Sequence, residues 1–232
     1  MVNTGGDRWP DRARQDYLKS IYLAGSGEAV KAADVARRLA VSRASVSKRV
    51  RELERAGLVE RDRTGVALRL TAAGRRVAIS VIRRHRIVET FLHGSLGVPL
   101  DRLHAEAERI EHAVSDDVAM RLERLMRFPE LDPHGDAIPD SRGRVIRVAD
   151  EPLAAAATGA TVRVSRIDDR VPAVVRALER AGVLPGTKMR VVAKRTSETL
   201  LRIGARITSI SPKAAGAVRV RRGAQGAKRT VA

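Results

Sequence analysis

Residues 104–112, HAEAERIEH, hold two histidines and three glutamates in a nine-residue stretch. At about 100° per residue on a helix, His104, Glu108, Glu111 and His112 fall within a sector of about 100°. Glu106 points away from them, and Leu103, Ala107, Ile110 and Val114 form an apolar stripe alongside. A ligand stripe beside a core-facing stripe is where a half-buried metal site can form. On the preceding segment, RRHRIVETFL, His85 and Glu89 stand four residues apart and share one helical face. Asp16 lies among the apolar residues of the first helix. Imidazoles and carboxylates converging from three helices, in a chain with no cysteine, suit Mn(II) or Fe(II), and Zn(II) is also able to bind. For any single one of these residues a solvated or capping role is the ordinary alternative; the spacings taken together favour the metal.

The elements that would carry these groups follow from periodicity. RARQDYLKSIYLAG spaces Tyr17, Leu18, Ile21 and Tyr22 as a helix that stops at Gly25. The next segment predicts a short helix from Ala32 to Leu39, a tight turn around Val41 and Ser42, and a second helix to about Ala56, ended by Gly57. LVERDRTGVALRL alternates as two strands around a turn at Thr64 and Gly65. A long helix capped by Thr71 runs to about Leu96, and two more helical segments follow, with Ser115 as a cap between them. Pro129, Pro133 and Pro139 mark a linker. Beyond it, TVRVSRI, TKMRVVAKR and AVRVRRG read as strands around one helix, VVRALERAGVLPG, a small β-barrel-like unit.

The charge balance identifies a partner class. Forty-five Lys and Arg against 27 Asp and Glu give a formal net charge of +18. That predicts a polyanion, with double-stranded DNA first and an anionic membrane surface as the competitor. Residues 1–17 lack the apolar core of a signal peptide, and no stretch approaches the roughly 18 apolar residues of a membrane span, so a cytoplasmic protein with no membrane partner is expected. Val35, Leu39, Val46, Val50 and Leu53 can form one small core under the two short helices. Ser42, Arg43, Ser45, Ser47, Lys48 and Arg49 then lie on or near the free side of the second helix, where hydroxyls and cations suit base edges and phosphates. Arg61 and Arg63 stand at the turn of the strand pair, which reads as a wing against the DNA backbone. A two-helix packing element with solvated charges is the plain alternative.

The order of a helix, a winged helix-turn-helix, RRHRIVETFL, HAEAERIEH, SDDV, PHGDAIP and a barrel resembles the diphtheria-toxin-repressor family of metal-activated repressors. The resemblance runs from about residue 13 to residue 222. It implies a mainly α fold with small β parts. A winged helix-turn-helix would occupy 1–74, a helical metal-binding and dimerisation domain 75–140, a linker 141–150, an SH3-like, FeoA-like barrel 151–222, and a basic disordered tail, with Lys228 and Arg229, 223–232. It implies a homodimer on a palindromic operator and no small organic substrate.

Carried over position by position, the resemblance assigns Asp16, Glu108, Glu111 and His112 to a primary metal position and His85, Glu89 and His104 to an ancillary one. Iron-type members carry Met and Cys where this chain has Asp16 and Glu108, so the carboxylates point to the manganese, MntR-like branch, with Fe(II) as the alternative and Zn(II) or Co(II) as substitutes in vitro. Two departures stand out. Lys19 occupies a position where manganese-type members without a barrel have Glu, and Val171 and Val174 fall where iron-type members donate Glu and Gln from the barrel. Asp168 and Asp169 lie nearby, as substitutes or as an ordinary acidic loop. A metalloenzyme is the reading from another class, although the chain has no HExxH and no nucleophile elbow. A constitutive architectural DNA-binding protein is the third.

Overall fold

The computed structural model describes residues 12–25, 27–222 and 230–231. Residues 1–11, read above as lacking a signal peptide, and Lys228 and Arg229 lie outside the described residues. The chain divides into two compact units, residues 1–83 and 84–232.

The first unit is the winged helix-turn-helix. Helix α1 (Arg12–Gly25) is followed by a two-residue strand β1 (Val30–Lys31), α2 (Ala32–Leu39) and α3 (Arg43–Arg55). The turn between α2 and α3 starts with Ala40 at positive φ, and Ser42 caps α3 by accepting from the Ser45 amide at 3.1 Å. Gly57, at φ +68°, follows the end of α3, as its freedom in the left-handed region requires. Strands β2 (Val59–Arg61) and β3 (Ala67–Leu70) make the wing, and β1, which sequence periodicity did not predict, pairs with β3 to give the antiparallel order β1-β3-β2. Leu18, Ile21, Val35, Val46, Val50, Leu53 and Leu68 are buried in one aliphatic core, with Leu39 packed at its edge. Each such side chain contributes about 1.5–3 kcal/mol by leaving water.

Helix α4 (Ala72–Leu96) begins in this unit. Thr71 caps it, accepting from the Gly74 amide at 3.1 Å while its hydroxyl donates to the Gly57 carbonyl at 2.7 Å.

The second unit contains the rest of α4, then α5 (Leu100–Ile110) and α6 (Asp116–Leu125), the latter capped by Ser115. Strands β4 (Ile146–Arg147), β5 (Glu151–Pro152), β6 (Thr161–Ile167), β7 (Lys188–Lys194), β8 (Thr199–Ile203), β9 (Arg206–Ile210), β10 (Val218–Arg222) and β11 (Thr230–Val231) follow. Helix α7 (Pro172–Ala181) and the short α8 (Pro212–Gly216) lie among them. Six strands form an antiparallel sheet in the order β5-β10-β6-β7-β8-β9. The sheet does not close, so the expected barrel is an open sheet with β5 and β9 at its edges.

Three features differ from expectation. The helices and the sheet share one core: Val88, Leu92, Leu100, Leu103 and Ala107 cluster with Val164, Val175, Leu178 and Val218. The FeoA-like region is therefore packed onto α4 and α5, not tethered beside them. Strand β4, within the segment read as a linker, pairs with β11, within the segment read as a disordered tail. Ile110, read as part of the apolar stripe, is 37% exposed at the last residue of α5.

Candidate metal centre

The residues of the helix-turn-helix and wing read as facing DNA differ in their surroundings. Arg43, Ser47, Lys48 and Arg63 are exposed. Ser42 and Ser45, also exposed, bond to each other as the α3 cap, and Arg49 donates to Glu52 at 2.7 Å. Arg61 pairs with Glu54 at 2.9 Å and donates to the Gly65 carbonyl at 3.0 Å, so it braces the wing it stands on. Asp62 holds that turn by accepting from the Val66 and Ala67 amides and the Thr64 hydroxyl.

In the second unit, α4 supplies His85 and Glu89 one turn apart, and α5 supplies His104 and Glu108 in the same relation. Glu111 and His112 follow immediately, with Glu111 still in helical conformation and fully buried. The His85 ring lies between two carboxylates: Nδ1 bonds to Glu111 Oε2, and Nε2 is 3.2 Å from Glu89 Oε1. Glu111 Oε1 is 3.3 Å from His112 Nε2, and exposed Glu108 approaches His104 Nε2 at 3.5 Å. Asp16 belongs to the first unit, where it is half-buried on α1, and Lys19 on the same helix is buried.

His85, Glu89, His104 and Asp169 each offer a donor atom within 4.8 Å of the others. Asp169 comes from the loop between β6 and α7, and its Oδ2 is 3.0 Å from His104 Nδ1. Of the two acids read as substitutes, the structure brings in Asp169, while Asp168 is bound by Arg170 at 2.8 Å. Val171 is exposed at the start of α7 and Val174 is buried in the core, so neither takes part.

The test of whether these residues fit a cation is the bonding of their buried atoms. Glu89 Oε1 and His104 Nδ1 are both buried without a hydrogen bond among the described residues. Buried polar atoms are nearly always satisfied. Groups that approach closely yet do not bond to one another are aimed at a common point, and the donor set fits a divalent ion there. Burial alone would raise the Asp169 carboxyl; the close approach of His104 and the fields of His104, His134 and His85 outweigh that and hold it far below the usual carboxylate range.

The residues missed by sequence reasoning are His134 and Asp132. Both are buried, and with Glu89 they form a further group with donor atoms within 4.8 Å. Asp132 folds the loop, accepting from the His134 and Asp136 amides through Oδ1. Burial, then repulsion from Glu89 and Asp136, pushes its carboxyl well above the usual range, against the opposing Arg86. The DPHGD stretch was the available signal: a glycine beside a histidine, with an acid at either end, marks a tight polar turn.

Three families match successive parts of the chain. Residues 12–66 match the family description "Iron dependent repressor, N-terminal DNA binding domain", residues 71–140 "Iron dependent repressor, metal binding and dimerisation domain", and residues 151–222 "FeoA domain". The chain is 34% identical over 193 residues to the iron-dependent repressor IdeR of Mycobacterium tuberculosis, covering 75% of this chain and 81% of that protein. It is 37% identical over 160 residues to IdeR of Mycobacterium leprae, 68% of this chain and 67% of that protein. Among solved structures, a manganese-dependent transcriptional repressor in complex with manganese is similar at a TM-score of 0.82 and 36% identity, over 90% of this chain and 99% of that one. With its DNA-binding region, its metal-binding and dimerisation region and its FeoA region each matched, the chain belongs to the iron-dependent repressor (diphtheria-toxin-repressor) family of metal-dependent transcriptional repressors.

Proposed function

We propose that the protein is a homodimeric, Mn(II)-responsive repressor that acts in the cytoplasm on palindromic operators of metal-uptake genes. The observation that carries the metal preference is the donor set of the primary position. By the family resemblance this is Asp16, Glu108, Glu111 and His112, three carboxylates and one imidazole with no sulfur. Such a set favours a hard ion, although availability in the cell also decides occupancy. A bound divalent ion supplies the positive charge that lets these carboxylates stay ionised side by side. Asp16 stands on the helix that opens the DNA-binding unit, Glu108 stands in the last turns of α5, and Glu111 and His112 directly follow that helix. Holding them together selects one spacing of the two recognition helices in the dimer, matched to half-sites one or more turns of DNA apart. Exposed Arg43, Lys48 and Arg63 then meet base edges and phosphates.

An Fe(II)-responsive repressor is the second reading, favoured by the names of the mycobacterial relatives. The test is retention of operator DNA by metal-stripped protein titrated with Mn(II), Fe(II) and Zn(II), beside Glu108→Ala and Asp16→Ala. Binding that appears with Mn(II) and is lost in both variants is the expected result. Binding indifferent to every metal overturns the reading.

A further inference from the structure

The positive charge of the chain is not concentrated in the DNA-binding region. Residues 12–66 contain 13 Lys and Arg against 7 Asp and Glu, whereas residues 151–222 contain 15 against 5. Part of that second excess lies on one face of the six-stranded sheet. Strands β6 to β10 contain no Asp or Glu. Val162, Val164, Met189, Val191, Leu201 and Val220 point to the buried side, into the core that Leu178 of α7 and Ala214 of α8 complete. The alternate positions face away from that core. There the register sets Arg163 of β6 opposite Arg221 of β10 on one side and Lys188 of β7 on the other, and it sets Arg190 of β7 opposite Arg202 of β8. Arg221 is half-buried and the other four are exposed.

Like charges directly opposite on a sheet face repel, and acids at alternate places would remove the cost. The neighbouring arginines have such acids: Arg166 donates to Asp150 at 3.0 Å, Arg219 also pairs with Asp150, and Arg222 donates to Glu151 at 3.2 Å. On the basic face, Arg163 donates to the Gly186 carbonyl, which steadies the guanidinium without cancelling its charge. Among the described residues, Lys188, Arg190, Arg202 and Arg221 form no ion pair. Five cations set against one another on an open surface suit a partner that brings the missing negative charge.

The chemistry of the face selects among polyanions. Both Phe, both Tyr and the single Trp of the chain precede residue 129, so the sheet offers no ring on which the bases of a single strand could stack. Binding to a membrane surface needs apolar anchors beside the cations, and the one large apolar side chain exposed on these strands is Ile207 of the edge strand β9. Duplex DNA carries about one phosphate charge per 1.7 Å of its axis and needs neither feature. Four strands about 4.8 Å apart make the patch about 14 Å across, wide enough to meet several phosphates. Residues 12–66 match a DNA-binding domain, so duplex held there is at high effective concentration for a second site on the same chain.

We propose that the outer face of the FeoA sheet, through Arg163, Lys188, Arg190, Arg202 and Arg221, binds the phosphate backbone of duplex DNA without reading its sequence. The contact adds to those of α3 and the wing and does not require the metal.

The experiment measures binding of a random-sequence duplex to the full, metal-free chain by fluorescence anisotropy, over about 50–200 mM salt. Lys188→Gln, Arg190→Gln and Arg202→Gln are combined in one variant, whose folding is checked by circular dichroism. The expected result is weaker binding, with the slope of log affinity against log salt reduced by about three, close to one for each cation removed. Unaltered affinity and slope overturn the proposal. So does a variant that holds DNA as before but loses retention on phosphatidylglycerol vesicles or on polyglutamate, which would assign the face to a membrane or to an acidic protein. A measurement on the wild-type chain stands if the variant fails to fold: duplex should slow acetylation of the exposed Lys188 amine. It should leave unchanged the exposed Lys213 of α8, a helix whose Ala214 and Ala215 enter the core from the other side of the sheet. Equal rates at Lys188 with and without duplex overturn the proposal. The probe is random in sequence and the protein free of metal, so failure here leaves the proposed function standing.

Discussion

Gly135→Ala tests whether the loop carrying His134 must press against β6. Gly135 has φ +91°, and a Cβ there would lie 2.2 Å from the Ser165 carbonyl oxygen and 2.9 Å from the Arg166 Cα. Both neighbours are backbone, so neither can swing aside. Gly186 is the matched control: its φ is +89°, but an added Cβ meets nothing within 4 Å. Gly186→Ala should cost only the conformational strain, about 1–2 kcal/mol. Gly135→Ala should cost the same strain plus about 1–3 kcal/mol for backbone displaced by overpacking, a total of about 2–5 kcal/mol. For a cooperative unit the size of residues 84–232, each kcal/mol shifts Tm by roughly 3–4 °C. The expected losses are therefore about 3–8 °C for Gly186→Ala and about 6–20 °C for Gly135→Ala, read by calorimetry on metal-free protein. Equal Tm losses for the two variants would refute the close-approach argument.

Three further outcomes follow from the packing and charges. Leu103→Ala, at a fully buried position shared by α5 and the sheet, should destabilise by about 2–5 kcal/mol and move the helical and FeoA regions in one melting transition; two transitions of which only one shifts would show separate cores. The Asp62 carboxyl is held below its ordinary value by the Thr64 hydroxyl and then by the Ala67 and Val66 amides, so its support of the wing is present above the usual carboxylate range and is lost as pH falls through the depressed value. Asp62→Ala should remove that acid dependence and weaken operator binding at neutral pH, as fluorescence anisotropy would reveal; unaltered affinity would place the wing off the DNA. Arg43→Ala and Lys48→Ala should each weaken binding, and the salt slope should fall by about one for each phosphate contact removed. Unchanged affinity and slope in both would move the DNA surface elsewhere.

What was legible in the sequence is what local spacing decides. His85 with Glu89 and His104 with Glu108 are one-turn relations on single helices, and an apolar stripe beside them fixes which way they face. The winged unit was legible for the same reason: the spacing of Val46, Val50 and Leu53, the Ser42 cap and Gly57 are short-range signals that agree with one another. Strands β6, β7 and β10 alternate and were readable, whereas β8 and β9 do not keep a clean two-residue period; four of the five residues of β9 lie outside the buried class at the sheet edge. Asp169 and His134 obey no local rule. Their approach to Glu89 depends on which backbone can pass close to which, and that is settled by the missing side chain of Gly135, the Ile167 amide and the Leu100 carbonyl. The position most visible in sequence thus supplies the helical half of the centre. Its remaining acid, Asp169, comes from the loop after β6, and the loop of His134 reaches Glu89 only by packing against that strand.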